Sequence, residues 1–324
     1  MRHGTTNEPA STRPWPERAL LALLAAQLVR VGVLFPAYAL TRDVPPWLAA
    51  FAVALAVLGA AALWGAWRRA PWALWAVVVL TALKLVVYAY NAALGLDPRG
   101  LPVALAIDAA LLALAFRLAG PVGGRVTRSQ RAFFAAVLAL AAWVAVRGLF
   151  DPARLSNVIP FDVPPLHARF LGAMYLSGAT FMVLALRARA WSDVRIVTVM
   201  VAIWTGMLGL VSATILTAFD WHRPPTWTWF VAYSAFPLVA AWLAWRQRGL
   251  GVGSGDEAGG GTATTIPSPL RAWLWGQGAV VTVLAVALLV APGAVAAVWP
   301  WKITVPLARI YSAPFLSYGL GSFM

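Results

Sequence analysis

Two ionisable side chains inside apolar segments could form a buried charge pair. Lys84 lies seven residues before Asn91, and Asp108 lies seven residues after Leu101. A helix rises about 1.5 Å per residue, so a turn between the two segments places both side chains at one depth, about 10 Å below the membrane edge. Because an isolated charge at that depth costs a few kcal/mol, an opposite charge beside it is favoured. The spacing predicts an intramembrane ion pair between Lys84 and Asp108, which is either structural or a site for a proton or coupling ion.

Arginines in the outer halves of several apolar segments could bind an anion. Positive charge normally stays on the cytoplasmic side, so arginines toward the opposite ends need a separate explanation. One explanation is that their side chains extend to the lipid head groups. The other is a pocket, since a planar guanidinium group binds phosphate or carboxylate through two donors. The predicted anion pocket comprises Arg30, Arg147, Arg169, Arg309, His167 and Tyr175.

Such a pocket favours a membrane protein that binds or transports an anionic small molecule or a lipid head group. Candidate ligands are a lipid phosphate, a polyprenyl phosphate and a small carboxylate. Two other functions stay open: a non-catalytic membrane scaffold or complex subunit, and a membrane-embedded enzyme acting on a lipid-linked substrate. Enzymes usually show paired carboxylates, a metal-binding histidine set or a phosphate-cradling loop, whereas this chain has three histidines and no cysteine. We therefore expect no catalytic residue, no metal and no cofactor.

The composition places these residues in a bilayer. Hydrophobic residues make up 61% of the 324-residue chain, charged residues make up 11%, and the mean hydropathy is +0.77. Polar side chains are therefore too few to cover a water-soluble globule. Each apolar run is continuous and lacks the alternation of a barrel strand, so the sequence predicts an all-α polytopic transmembrane helix bundle of about ten spans. The predicted spans are 19–40, 47–66, 72–91, 101–118, 132–150, 166–186, 194–218, 226–245, 271–291 and 303–322.

Arginines in the loops predict the orientation. They cluster after the second, fourth, sixth and eighth predicted spans, whereas the intervening loops are nearly neutral. Since Lys and Arg stay on the cytoplasmic side, the N-terminus and these basic loops are predicted to be cytoplasmic, in a bacterial-type inner (plasma) membrane. The net charge of +14 is then topology charge and does not indicate a nucleic-acid-binding surface. The expected partners are membrane lipid, including anionic lipid, and either another membrane protein or a second copy of the chain.

Internal repeats predict how the spans are grouped. The sequence Asp43-Val44-Pro45-Pro46 recurs as Asp162-Val163-Pro164-Pro165, and matching apolar segments follow at an offset of 119 residues. A second offset, of 140 residues, pairs Arg169 with Arg309. A repeat of four spans keeps its copies in the same orientation, so the repeats are parallel. The predicted organisation is a disordered tail (1–18), a four-span unit (19–130), a second four-span unit (131–248), a flexible cytoplasmic linker (249–270) and a partial third unit of two spans (271–324).

Proline and bulky aromatic residues fill the predicted outer loops. They are expected to mark helix starts and to anchor the chain at the head-group level. Alternatively, these loops form a cap over a cavity. Its mouth would then be lined by Trp221, His222, Trp227 and Trp229.

Two of the helix starts follow a Pro-x-x-Ala-Arg pattern. They are Pro165-Leu166-His167-Ala168-Arg169 and Pro306-Leu307-Ala308-Arg309, in which the second proline is shifted by one position. The pattern resembles a unit of uncharacterised bacterial multi-pass membrane proteins. The resemblance implies a multi-pass helical fold, and no activity attaches to it.

The predicted orientation can be tested by cysteine labelling, because the chain has no native cysteine. In intact cells, Gly123→Cys should resist an impermeant thiol reagent, whereas Ser156→Cys should react with it. Labelling of Gly123→Cys from outside would contradict both the orientation and the number of spans.

Overall fold

A computed structural model of the chain describes residues 13–41, 46–96, 100–120, 122–248 and 267–324, with the helical backbone alone for 32–41 and 46–48. The α-helices are α1 (Trp15–Thr41), α2 (Pro46–Trp67), α3 (Ala73–Ala93), α4 (Gly100–Leu118), α5 (Arg128–Phe150), α6 (Pro165–Arg187), α7 (Trp191–Ala213), α8 (Pro224–Arg246), α9 (Ser268–Val290), α10 (Pro292–Val298) and α11 (Val305–Gly321). Two short 3-10 helices, Pro152–Asn157 and Leu216–Ala218, lie in the loops. Across these described ranges no β-strand forms, and one isolated bridge joins Arg125 to Ala190.

The prediction of an all-helical, multi-pass membrane protein is confirmed. Within the described ranges, eight helices, α2 to α9, are long and apolar enough to cross a bilayer. The predicted span 303–322 corresponds to α11, whose 17 residues extend about 25 Å, less than the ~30 Å hydrocarbon thickness. The number of ten spans therefore stays a prediction.

Two of the predicted boundaries shift because proline starts helices efficiently. The predicted tail 1–18 lies outside the described residues up to residue 12, but α1 already begins at Trp15, with Pro16 in its first turn. The predicted linker 249–270 lies outside the described residues up to residue 266, and α9 begins at Ser268 with Pro269 in its first turn. Proline loses no hydrogen bond at these positions, since the first backbone N–H groups of a helix have no partner within the helix.

The chain divides into two compact units, and the boundary between them runs through α3. The first unit falls within residues 1–81 and 99–119, and in it α1 packs against α2 and α4. Near the start of α1, the Arg69 Nε atom donates to the Glu17 carboxylate at 2.9 Å. The second unit falls within residues 82–98 and 120–324. It contains all of the helices from α5 onward.

The second unit is built from three helical hairpins, which pair α5 with α6, α7 with α8, and α9 with α11. Their loops, 151–164, 214–223 and 291–304, meet at one end of the unit, which we call the proline-rich end. At the opposite, arginine-rich end, the Gln247 amide donates to the carbonyl oxygens of Gly123 and Arg125, at 3.0 and 3.2 Å. The same side chain accepts a hydrogen bond from Gln130 at 2.5 Å.

The first and third hairpins share their element boundaries. Helix α9 begins and ends 140 residues after α5, and α11 begins 140 residues after α6. The residues that follow α5 and α9, Asp151 and Ala291, have similar backbone angles, with φ/ψ of −136°/58° and −125°/53°. The next residue is a proline in both hairpins, Pro152 and Pro292. This spacing equals the second offset found in the sequence.

Glycine permits the closest helix contact of the first hairpin. A Cβ atom added at Gly148 would lie 2.5 Å from the carbonyl oxygen of Ala168 and 2.8 Å from the Cα atom of Gly172. Both neighbours are backbone atoms of α6, which cannot turn away as a side chain can. Small residues at such contacts are typical of helix pairs in membranes, where close van der Waals packing drives association.

The substitution Gly148→Ala should therefore separate α5 from α6 and reduce the free energy of unfolding by about 1–3 kcal/mol. The matched control is Gly276→Ala in α9, because a Cβ atom there meets nothing within 4 Å. This control should be neutral or more stable, since alanine is the better helix former. Thermal unfolding of both variants in detergent measures the difference. Equal melting temperatures would show that the α5–α6 contact is not tight.

Candidate functional site

A cavity of about 680 Å³ opens at the proline-rich end of the second unit. Its volume lies within the range of small-molecule sites, which is about 300–1,000 Å³. We call it the loop cavity, because loops 151–164, 214–223 and 291–304 supply most of its walls. Its lining residues are Phe161, Asp162, Val163, Pro164, Leu166, His167, Ile215, Ala218, Phe219, Trp301, Lys302, Thr304, Pro306, Leu307 and Ile310. Most of these residues are apolar, and the polar ones are Asp162, His167, Lys302 and Thr304.

Two opposing walls of the loop cavity come from equivalent positions of the first and third hairpins. Five lining residues of one wall have a lining residue 140 positions later on the other wall. These pairs are Phe161 and Trp301, Asp162 and Lys302, Pro164 and Thr304, Leu166 and Pro306, and His167 and Leu307. Ile215, Ala218 and Phe219, from the connection between α7 and α8, complete the wall between them.

Opposite charges occupy one of these equivalent positions. Asp162 and Lys302 are both exposed, and among the described residues neither side chain takes part in an ion pair. Exposure leaves both groups solvated, so that neither carries the penalty of a buried charge. The carboxylate and the ammonium group are thus both available to a molecule in the cavity.

His167, which lies on the wall from the first hairpin, forms hydrogen bonds through both ring nitrogens to residues of the third hairpin. Its Nε2 atom lies 2.8 Å from the carbonyl oxygen of Lys302, and its Nδ1 atom lies 2.7 Å from the Tyr311 hydroxyl. A carbonyl oxygen can only accept, so Nε2 carries the proton, and in the neutral ring Nδ1 accepts from Tyr311. The side chain is buried, with 4% of its surface exposed. His167 therefore holds the loop that carries Lys302, and both of its nitrogen atoms are already bonded.

Three of the four predicted outer arginines belong to the second unit, and none of the three lines the loop cavity. Arg147 pairs with Asp151 at 2.8 Å, four residues later in the chain. Arg169 is exposed and Arg309 is half-buried. Arg169 lies three residues after the lining residue Leu166 of α6, and Arg309 lies three residues after the lining residue Pro306 of α11. Each arginine is therefore about one helical turn deeper than that lining residue. Helical side chains incline toward the N-terminus, and both helices begin at the cavity, so these two arginines add positive potential from below.

Tyr175 lies deeper in the bundle and away from the loop cavity. Its hydroxyl group is hydrogen-bonded to the hydroxyl group of Tyr233 on α8, and both side chains are buried. It is therefore not a neighbour of His167 around one ligand, although both residues belong to α6. Eight residues separate them, which corresponds to about 12 Å along the helix.

The other predicted site residues lie elsewhere in the chain. Arg30 is half-buried in the first unit. Lys84 and Asp108 are both buried, with 6% and 2% exposure, and they belong to different units. The Lys84 ammonium group lies 5.7 Å from the centre of the Tyr88 ring. The predicted pairing of Lys84 with Asp108 stays a prediction.

Two small apolar cavities lie in series with the loop cavity, and each shares lining residues with the next. The middle cavity, of about 10 Å³, shares Phe161 and Ile310 with the loop cavity. The inner cavity, of about 50 Å³, shares Tyr175 and Trp204 with the middle one. Along α6 the series extends from position 166 to position 182, about 24 Å at 1.5 Å per residue. Three of the four residues shared by neighbouring cavities, Phe161, Tyr175 and Trp204, are aromatic.

The tryptophans predicted to line a cavity mouth do not line the loop cavity. Trp221 and Trp229 are buried, and the Trp227 indole donates to the carbonyl oxygen of Trp221 at 2.8 Å. Sequence reasoning missed Asp162 and Lys302 as site residues. The 140-residue offset already aligned these two positions, so the opposite charges at two aligned positions were the signal that could have found them.

The role of His167 can be tested with the residue that occupies the equivalent position of the third hairpin. His167→Leu should leave the Tyr311 hydroxyl and the Lys302 carbonyl unpaired, at a cost of about 1–3 kcal/mol for each buried group. The melting temperature should fall, and trypsin should cleave after Lys302 faster than in the parent protein. His222→Leu, at an exposed histidine of the same end, is the control. Cleavage at the same rate in all three proteins would rule out His167 as the group that holds this loop.

In the part of the chain that the structure describes, no group of three or more His, Asp and Glu side chains could hold a metal ion. The chain matches no protein-family model, and no curated protein and no solved structure matches it significantly.

Proposed function

We propose that this integral membrane protein binds an amphiphile in the loop cavity through a phosphate or carboxylate of its head group. The observation that carries the proposal is a cavity of about 680 Å³ with apolar walls and an exposed Lys302, whose ammonium group has no ion-pair partner among the described residues. Ligand sites are typically apolar, with a few polar groups that fix the orientation of the ligand. A lipid phosphate, a polyprenyl phosphate and a carboxylate all have the chemistry to meet this lysine.

Positive charge around the cavity supports a head group that contains a phosphate or a carboxylate. Lys302 lies in the wall, and Arg169 and Arg309 lie one turn below it on α6 and α11. Both of these helices begin at the cavity, and the N-terminus of a helix carries a partial positive charge. An anion in the cavity is therefore favoured by charges on two sides of it. Arg169 and Arg309 contribute positive electrostatic potential and can extend toward the anion, whereas Lys302 contacts the anion directly.

Apolar walls and the two deeper cavities support an apolar tail. The loop cavity is lined by Phe161, Phe219 and Trp301, and by the aliphatic residues Leu166, Ile215 and Ile310. A tail that entered the middle cavity would have to turn the Phe161 ring aside, because that cavity is only about 10 Å³. The series then runs parallel to α6, in the direction in which a lipid chain runs in the bilayer.

Binding is better supported than transport. The hairpins are closed at the arginine-rich end, where Gln130 and Gln247 are hydrogen-bonded to each other and Gln247 also binds the segment 123–125. Passage through the unit would require these bonds to break. A cavity that opens at the proline-rich end is what a protein that captures and presents a lipid requires.

The proposed setting follows from the loop arginines and from the hairpin boundaries. With the arginine-rich end in the cytoplasm, the loop cavity faces the outer leaflet of a bacterial-type inner membrane.

We further propose that the first and third hairpins are copies of one parallel repeat. This proposal is supported by the offset of 140 residues at three helix boundaries and at five pairs of lining residues.

Loss of the cavity lysine tests the proposal. Lys302→Gln should retain about tenfold less co-purified phosphatidylglycerol than the parent protein, as expected when one charge-assisted contact is lost. Arg154→Gln is the control, because it removes a positive charge from the same end, at a side chain that is 73% exposed and does not line the cavity. Retained lipid is measured by native mass spectrometry after matched purification. Equal retention in the two variants would contradict binding in the loop cavity.

A further inference from the structure

The charge of the loop cavity is balanced across its two walls. Asp162 and Lys302 occupy equivalent positions, 140 residues apart, in the first and third hairpins. Both are exposed, and in the described part of the chain neither belongs to an ion pair, so they lie more than 4 Å from any opposite charge. His167, the remaining titratable residue of the lining, has both ring nitrogens engaged. The lining therefore offers one negative and one positive group, held apart.

We propose that the loop cavity recognises a zwitterionic head group of the aminoalkyl phosphate class. Lys302 binds the phosphate, and Asp162 binds the primary ammonium group of the same molecule. This inference rests on the proposed function and specifies the ligand for the same site.

A zwitterion satisfies the cavity better than an anion does. An anionic head group pairs with Lys302 but brings a like charge close to the Asp162 carboxylate, and this repulsion grows as the ligand displaces water from the cavity. An ammonium group removes that penalty by donating up to three hydrogen bonds, and an ionised carboxylate accepts them well. A zwitterion therefore gains two charge-assisted contacts on binding. An anion gains one such contact and is repelled by the Asp162 carboxylate.

The aromatic residues beside the two charges support the same assignment. Phe161 precedes Asp162 and Trp301 precedes Lys302, and all four line the cavity. An alkylammonium group next to Asp162 would lie within reach of the Phe161 ring, whose face attracts cations. A phosphate on the same wall would not be attracted to the Phe161 ring, because the face of the ring attracts cations. Because the Trp301 ring beside Lys302 attracts cations as well, the two charges orient the head group, with its ammonium end toward the first hairpin.

Exchange of the two charges provides the test. The full-length protein is purified in detergent, exchanged into nanodiscs of phosphatidylethanolamine and phosphatidylglycerol in equal amounts, and analysed for the lipid it retains on extraction. The parent protein should prefer phosphatidylethanolamine. Asp162→Asn should lose this preference by about tenfold or more, the effect of one charge-assisted contact. Lys302→Asp should retain neither lipid, and the double variant Asp162→Lys with Lys302→Asp should regain the preference, because the two walls are equivalent.

The controls separate the failure of this inference from the failure of the proposed function. Arg154→Gln should behave like the parent protein. If the parent protein and Asp162→Asn both retain phosphatidylglycerol as well as phosphatidylethanolamine, the zwitterion inference is overturned and lipid binding stands. If neither lipid is retained above the level of Lys302→Gln, the proposed function itself fails.

A soluble probe identifies the source of the head group. O-phosphoethanolamine carries the same two charged groups without a tail, and it should raise the melting temperature of the parent protein but not that of Asp162→Asn. A shift with this probe together with retained phosphatidylethanolamine supports a lipid head group. A shift with this probe and no retained lipid supports a free aminoalkyl phosphate, still bound through both charges. A shift of equal size in Asp162→Asn would contradict the role of the carboxylate.

Discussion

Hydrocarbon cannot hydrogen-bond to the backbone, and this constraint organises the whole second unit. Between its two ends the chain must be helical, so that its peptide groups are paired within each helix. Irregular backbone and the polar side chains that it carries are confined to the loops. Three hairpins of similar length therefore bring three loops to one level, and a cavity with polar groups forms where these loops fail to fill the space between α6 and α11.

The hydrogen bonds of His167 fix the position of the first hairpin relative to the third. Apolar helix faces in a bilayer gain little from contact with one another, because lipid tails are as apolar as they are. Directional bonds then decide how two hairpins are placed. The imidazole ring bonds to Lys302 of a loop and to Tyr311 of a helix, 135 and 144 residues away in the chain. One side chain thereby fixes both the distance between the cavity walls and the position of the lysine.

Much of the fold could be predicted from sequence, and much less of the site. Continuous apolar runs predict helices, and proline predicts their starts, because both signals depend on local physics; α6 begins at Pro165 as expected. Which face a residue presents depends on neighbours, and a helix that is apolar all round carries no such signal. Arg169 and Lys302 look alike in sequence, since both are cations near a proline-rich loop. Only packing shows that the lysine lines the cavity and that the arginine lies one turn below it.

The exchange of Asp162 for Lys302 at equivalent positions has a consequence for how such a site can evolve. Two identical subunits around a two-fold axis would place the same residue on both walls, so that carboxylate would face carboxylate or ammonium would face ammonium. If the two hairpins are copies of one repeat, as proposed, a cavity between them within one chain escapes this restriction, because each copy mutates alone. Covalent linkage of the hairpins thus permits a polarised site, with a direction across it, that exact symmetry forbids.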